Sequence, residues 1–179
     1  MVAVANHIQD EKGGTMVTRE QVTAEQRWLV QASWDKVAPM APHVAELFYD
    51  RLFELNPLLE DHFPADISEA GAQLMQTLGE AVAGLEDPGS VTPCLHELGR
   101  YHLRHGMRPG YYETMGSALL WTLEQSLAED FTPRVKDAWS VVYQLFSAVM
   151  LEAADVVVAK EPASARRGMD AVLTARRAG

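Results

Sequence analysis

The chain has 179 residues, 47% hydrophobic and 22% charged, with a formal net charge of −10 at pH 7. That length suffices for one domain with a substantial core, and that composition excludes a wholly disordered chain. The acidic balance excludes nucleic acid as a partner, because phosphate binding needs a basic surface. Residues 1–21 are polar and aperiodic, with Gly13-Gly14 and a second Met16, and read as a disordered leader. Thr23 with Gln26 three residues on forms a capping box. It opens a helix through Trp28, Leu29, Ala32 and Trp34 to Val37. Pro39 and Pro42 break that helix, and Pro42 opens the next, with Val44, Leu47, Phe48, Arg51, Leu52 and Leu55 at helical spacing. Asn56-Pro57 ends it, and a short helical turn follows through Leu58 and Leu59 to Phe63.

Ser68 reads as the cap of a long helix with its apolar stripe at Leu74, Met75, Leu78, Ala81, Val82 and Leu85. Asp87-Pro88-Gly89 terminates it, and Thr92-Pro93 starts the helix that carries His102. Gly106 and Pro109 stop that helix, and another begins near Tyr111 and runs to Leu127, with Met115, Ala118, Leu119, Thr122 and Leu123 turned inward. Thr132-Pro133 opens the last helix, rich in Trp139, Val142, Tyr143, Phe146, Val149 and Met150, which extends toward Val158. No segment alternates with period two. The expected fold is all-α, with six to eight helices of unequal length packed at crossing angles of roughly 50°. The expected organisation is a leader (1–21), a helical domain (22–158) and a flexible basic tail (159–179).

From Lys160 onward, five Lys and Arg stand against two Asp and Glu, so this end is +3 and the remainder −13. An acidic body solubilises the protein or steers a basic redox partner. The single cysteine, Cys94, rules out an internal disulfide and fits a reducing compartment. No apolar run approaches the roughly 18 residues of a membrane span. The first dozen residues, with Asn6, His7, Gln9, Asp10, Glu11 and Lys12, do not make a signal peptide. A cytoplasmic location is the expectation.

Ordinary catalytic motifs are missing. His96-Glu97 starts like a zinc-protease motif, but the next histidine, His102, is six residues on, which turns it about 240° around the helix. No Glu stands three residues before a histidine in the manner of a di-iron bundle, and no GxSxG, GxGxxG or phosphate loop occurs. What remains is His102, near the end of its helix, with Leu98 one turn earlier and Met107 and Tyr112 just past the break. That pattern suits either a satisfied core histidine or the single axial ligand of a flat apolar cofactor. His105 abuts Gly106 and is expected to face solvent, where its charge suits the helix end.

Four segments occur in order on this all-α background: Phe48-Tyr49-Asp50-Arg51-Leu52-Phe53 with Asn56-Pro57; His62-Phe63; His102-x-x-x-Gly106-Met107 with Tyr112; and Ala138-Trp139 with Tyr143. In these the sequence resembles the bacterial globins, meaning single-domain haemoglobins and the globin half of flavohaemoglobins, over roughly residues 22–155. The resemblance implies that His102 is the proximal ligand of a haem b iron. Its Nδ1–H would be held by a backbone carbonyl near Leu98. It implies that Leu98 and Met107 pack the proximal face, that Phe63 stacks on the haem, and that Leu74 roofs the distal side. From the residues alone, Phe63 is plain core and Tyr49 an aromatic whose hydroxyl reaches solvent. The resemblance promotes Tyr49 to a distal hydrogen-bond donor, worth roughly 1–3 kcal/mol to a partly negative ligand.

Two departures from the family pattern stand out. Ala70 occupies the place where many relatives carry Gln or His, leaving Tyr49 as the polar contact unless Gln73 swings inward. On the proximal side Tyr112 matches a tyrosine that some relatives pair with a glutamate. The alignment puts Ala154 at the glutamate position, with Glu152 two residues earlier. A distal histidine is not expected, since none lies between Ser68 and Leu85. The implied function is reversible binding of O2, and of NO and CO, with no catalytic residue set of its own. With an external reductase, bound O2 would oxidise NO to nitrate. The rival expectation is a globin-fold gas or redox sensor, or stress-response module, without catalysis. The apolar run Val156-Val157-Val158 suits either a homodimer face or the closing of the core.

Overall fold

A computed structural model describes residues 22–63 and 66–160, and among these the chain forms six α-helices and no strand. They are α1 (Ala24–Val37), α2 (Ala41–Leu55), α3 (Ser68–Ala83), α4 (Pro88–Arg104), α5 (Tyr111–Leu127) and α6 (Pro133–Lys160). The leader at 1–21 and residues 161–179 of the expected tail lie outside the described residues, whereas residues 159 and 160 still belong to α6.

Local chemistry explains most of the boundaries. At α1 the Gln26 N–H donates to Thr23 Oγ1 (3.1 Å) and the Thr23 N–H to Gln26 Oε1 (2.9 Å), which is the reciprocal box read from the sequence. The Asn56 side chain accepts from the Leu58 N–H and starts a 3-10 helix, Pro57–His62. Three expectations need correction. Ser68 is the first residue of α3 rather than its cap; the acceptor for its N–H is Asp66 Oδ1, at 2.9 Å. The His102 helix starts at Pro88, not at Thr92-Pro93, and Pro93 lies inside it. A first-turn proline opens a helix without loss. Asp87-Pro88-Gly89 therefore ends one helix region and begins the next, and exposed Pro93 gives up only one backbone bond near the start of α4. Trp28 is 64% exposed. The buried side of α1 is Val30, Ser33, Trp34 and Val37, and a residue two before Val30 points the other way round the helix.

The core gathers Leu52, Leu59, Leu85, Leu95, Leu123, Trp139 and Val142, all nearly free of solvent. Trp139 Nε1 donates to Ser33 Oγ across 106 positions of sequence (2.8 Å), and Ser33 hands its own proton to a carbonyl of α1. This bond satisfies a buried indole and fixes α6 on α1. Two helix pairs approach closely at a glycine. A Cβ at Gly71 of α3 would lie 2.9 Å from Ala45 Cβ of α2, and one at Gly99 of α4 would lie 2.2 Å from the Met150 oxygen of α6. Only a residue without a side chain lets α4 lie this flush on α6, its most extensive packing partner. Between them, α3 packs against both α2 and α4.

Candidate functional site

The end of α4 is built by its cap. Gly106 takes φ +77°, the left-handed conformation that L side chains rarely adopt. The Gly106 N–H then donates to Leu103 O (3.0 Å) and the Met107 N–H to His102 O (2.9 Å), the paired bonds of a Schellman motif. The motif folds the chain back so that Met107, buried, lies beside His102. Leu98 and His102 share a face one turn apart, both partly buried. The Leu98, His102 and Met107 grouping therefore follows from one glycine and one helical repeat.

His102 has a specific partner. Its Nδ1 lies 3.1 Å from Tyr112 Oη, with the rings 5.6 Å apart and nearly edge-on at 68°. The sequence reading expected a backbone carbonyl near Leu98 at this nitrogen; the structure supplies the first-turn phenol of α5 instead, because the Gly106 reversal brings Tyr112 back onto α4. Tyr112 is itself buried, and burial pushes its phenol up to about 12. Tyr143 Oη of α6 donates to the Tyr112 carbonyl at 2.6 Å, which anchors the residue that anchors the histidine. Burial, and secondarily His105, lower the His102 pKa to about 4. The imidazole is neutral at pH 7 and keeps a lone pair. His105 is exposed, as expected, and stacks on Tyr101 with ring centroids 4.0 Å apart.

A second aromatic group lies on α2 and the turn beyond it. Tyr49 is buried; its ring packs against Phe63 (5.1 Å, 70°), Phe53 (5.8 Å) and Phe48 (5.2 Å). Burial raises its phenol to about 12, and the hydroxyl of Tyr101 on α4 adds to the shift, so charges on the two helices sense each other. Tyr49 Oη donates to the Ala70 carbonyl at a long 3.5 Å. The Gly71–Ala45 approach sets this register and leaves Ala70 and Leu74, half-buried, on the Tyr49 side of α3. Gln73 is exposed and spends its amide on Thr77 Oγ1 (3.2 Å) along the helix surface, so it does not join Tyr49. Glu152 does not reach Tyr112 either: its Oε2 is buried with no hydrogen-bond partner. A separate apolar groove of about 550 Å³ lies behind the α2–α3 crossing, lined by Trp34, Ala38, Ala45, Gly71 and Met75, and holds none of these groups.

Among the described residues no three His, Cys, Asp or Glu side chains converge on a point. The donor set on offer is one neutral imidazole with its Nδ1 engaged, between apolar residues from two helices. That chemistry fits a planar metallocofactor needing a single protein ligand, and it fits a bare cation poorly. The sequence gives no role to Gly99 or Tyr101, and marks Tyr143 only as an apolar-helix residue and a match to the family pattern. A glycine in the middle of an apolar helix face was the one signal that marked Gly99.

An all-α fold that presents one partly buried, neutral histidine among apolar residues suits a helical protein holding a planar cofactor. Comparison with known proteins makes the class specific. The Globin family model matches residues 46–150. A neuroglobin of Tetraodon nigroviridis is 30% identical over 146 residues, covering 73% of this chain and 91% of its own. Anaerobic nitrite reductase HBII of Casuarina glauca is 31% identical over 147 residues, with 73% and 91% covered. A flavohemoprotein of Rhizobium meliloti (strain 1021) is 29% identical over 126 residues, which are 68% of this chain and 31% of that one. The chain belongs to the globin family. Its relatives come from fish, plant and bacterium alike, so the family is established without a bacterial branch being singled out. The family's haem-binding and gas-binding character comes with membership.

Proposed function

We propose that this globin holds haem b through His102 Nε2 and binds O2 reversibly, with NO and CO as alternative ligands. A bound haem supplies a ferrous iron with one coordination position open to a diatomic molecule. The observation that carries the reading is the His102–Tyr112 hydrogen bond. If Nδ1–H donates to the phenol oxygen, the tautomer is fixed and the lone pair sits on Nε2, the nitrogen a metal needs. Phe63, Leu74, Leu98 and Met107 supply apolar walls that exclude water. Tyr49 keeps its proton far above neutral pH and offers an O–H to a ligand that carries partial negative charge. Its 3.5 Å bond to Ala70 O is long enough to be exchanged cheaply for a better acceptor.

NO oxidation to nitrate belongs to the same proposal as a secondary activity that needs electrons from a separate reductase. The flavohemoprotein relative is longer than its match to this chain. Purified protein is expected to show a Soret band that shifts with CO and is lost or strongly altered in His102→Ala. Tyr49→Phe should release O2 faster by about 5- to 150-fold, equivalent to ~1–3 kcal/mol. An unchanged spectrum in His102→Ala refutes the proximal assignment, and an unchanged O2 off-rate refutes the distal one. Stopped-flow NO consumption with and without a reductase separates holding from turnover.

A further inference from the structure

The gas-binding reading leaves His62 without a role. It closes the 3-10 helix on the side that carries Phe63, yet its ring reaches the opposite side, where α4 turns into α5. Its Nδ1 lies 2.9 Å from the backbone oxygen of His105, three residues past His102. A carbonyl can only accept, so Nδ1 carries the proton and donates. The ring also packs on Tyr111, with centroids 5.8 Å apart at 54°. A Cβ at position 106 would sit 3.1 Å from His62 Cε1. Gly106 thus does two jobs: its backbone stops α4, and its missing side chain leaves the seat in which the imidazole lies.

We propose that His62 is a clasp fastening the Phe63 turn to the α4–α5 turn, and that it limits how fast haem leaves the protein. The inference rests on the haem-binding reading and concerns retention rather than ligand chemistry. For a planar cofactor held between Phe63 and His102, parting of those two segments opens a path of escape. Among the described residues, the His62–His105 bond is the only side-chain hydrogen bond joining the 57–62 helix to that turn, and it spans 43 positions of sequence. The protonated ring donates from Nδ1 as well as the neutral tautomer does, so the clasp holds in either charge state.

Haem transfer from the full chain to excess haem-free myoglobin tests this, comparing wild type with His62→Leu and His62→Gln. His62→Leu fills the seat without a donor and should lose haem about 2- to 10-fold faster, the span of one net hydrogen bond. The amide N–H of His62→Gln can reach the same oxygen and should recover most of the difference. A role in packing alone predicts the reverse order, with Leu near wild type and Gln no better. Long-range ¹H–¹⁵N spectra of the haem-free protein should show His62 as the Nδ1–H tautomer, a readout that stands even if the Leu variant fails to fold. Equal loss rates, Gln no slower than Leu, or an Nε2–H tautomer would each overturn the clasp. A chain that takes up no haem overturns the underlying reading as well; uptake with equal rates overturns the clasp alone.

Discussion

Tyr112→Phe isolates the contact on which the proximal side depends. The substitution removes one oxygen, 3.1 Å from His102 Nδ1, and leaves a ring of the same shape 5.6 Å from the imidazole. Packing therefore changes little, and the cost is that of the hydrogen bond. Removing one partner of a buried pair leaves the other unsatisfied at about 1–3 kcal/mol. Loss of a ligand-orienting group typically weakens metal affinity by about 10- to 100-fold, or ~1.4–2.8 kcal/mol, and the two ranges agree. The ferric holoprotein of the Tyr112→Phe variant should thus release haem at least about tenfold faster, and resonance Raman of the ferrous ligand-free form should show the iron–histidine stretch at lower frequency. Circular dichroism of the variant should match wild type. A haem-loss rate within about twofold of wild type, with an unmoved stretch, would mean that another acceptor such as the Leu98 carbonyl holds Nδ1, and the argument from Tyr112 would fail.

Gly99→Ala should destabilise the haem-free protein by about 1–3 kcal/mol or more, read as a fall in denaturant midpoint at constant slope. The new Cβ would lie 2.2 Å from the Met150 oxygen, and both partners are backbone, so α4 and α6 must separate by roughly 1 Å to restore contact distance; a change under about 0.5 kcal/mol would refute the flush crossing. Tyr49 and Tyr143 are both raised by burial, Tyr49 to about 12, against roughly 10 unfolded. The unfolded chain therefore loses these protons first, so the stability they contribute is intact below pH ~10 and drains away as pH rises through the folded values. Denaturant midpoints should be flat from pH ~7 to ~9 and fall beyond pH ~10, with a shallower fall in Tyr49→Phe; equal slopes in both proteins would refute the assignment.

The parts of the fold that rest on short-range chemistry were legible in the sequence. Thr23 and Gln26 announce their capping box, Gly106 its helix stop, and the α5 positions Met115, Ala118, Leu119, Thr122 and Leu123 their burial, because each depends on neighbours within one or two turns. The α4 start is ambiguous in the sequence because two helix-opening prolines, Pro88 and Pro93, compete within six positions and the pattern alone does not rank them. What stayed hidden depends on partners far along the chain. Nothing in Tyr112 says that its hydroxyl meets His102, since the contact requires the Gly106 reversal and the α4–α6 crossing together. One helical turn from Ala70, Gln73 has an inward option by sequence alone, but its amide has a partner at hand in Thr77.

If His102 holds the haem as proposed, its contacts favour holding a gas over activating it. A carboxylate at Nδ1 would draw the proton away and give the imidazole the donor strength of an imidazolate, which assists cleavage of a bound O–O bond. Here the group at Nδ1 is a phenol whose own pKa is pushed up to about 12, so it can accept a hydrogen bond but cannot take the proton at neutral pH. Its main-chain oxygen accepts from Tyr143 Oη, which fixes the residue in place. Glu152 has a buried Oε2 with no hydrogen-bond partner and is not engaged with the tyrosine. His102 is left as an ordinary neutral imidazole, held firmly in place without strong electron push. On the haem-binding reading proposed above, that combination suits retention of a ligand more than its activation.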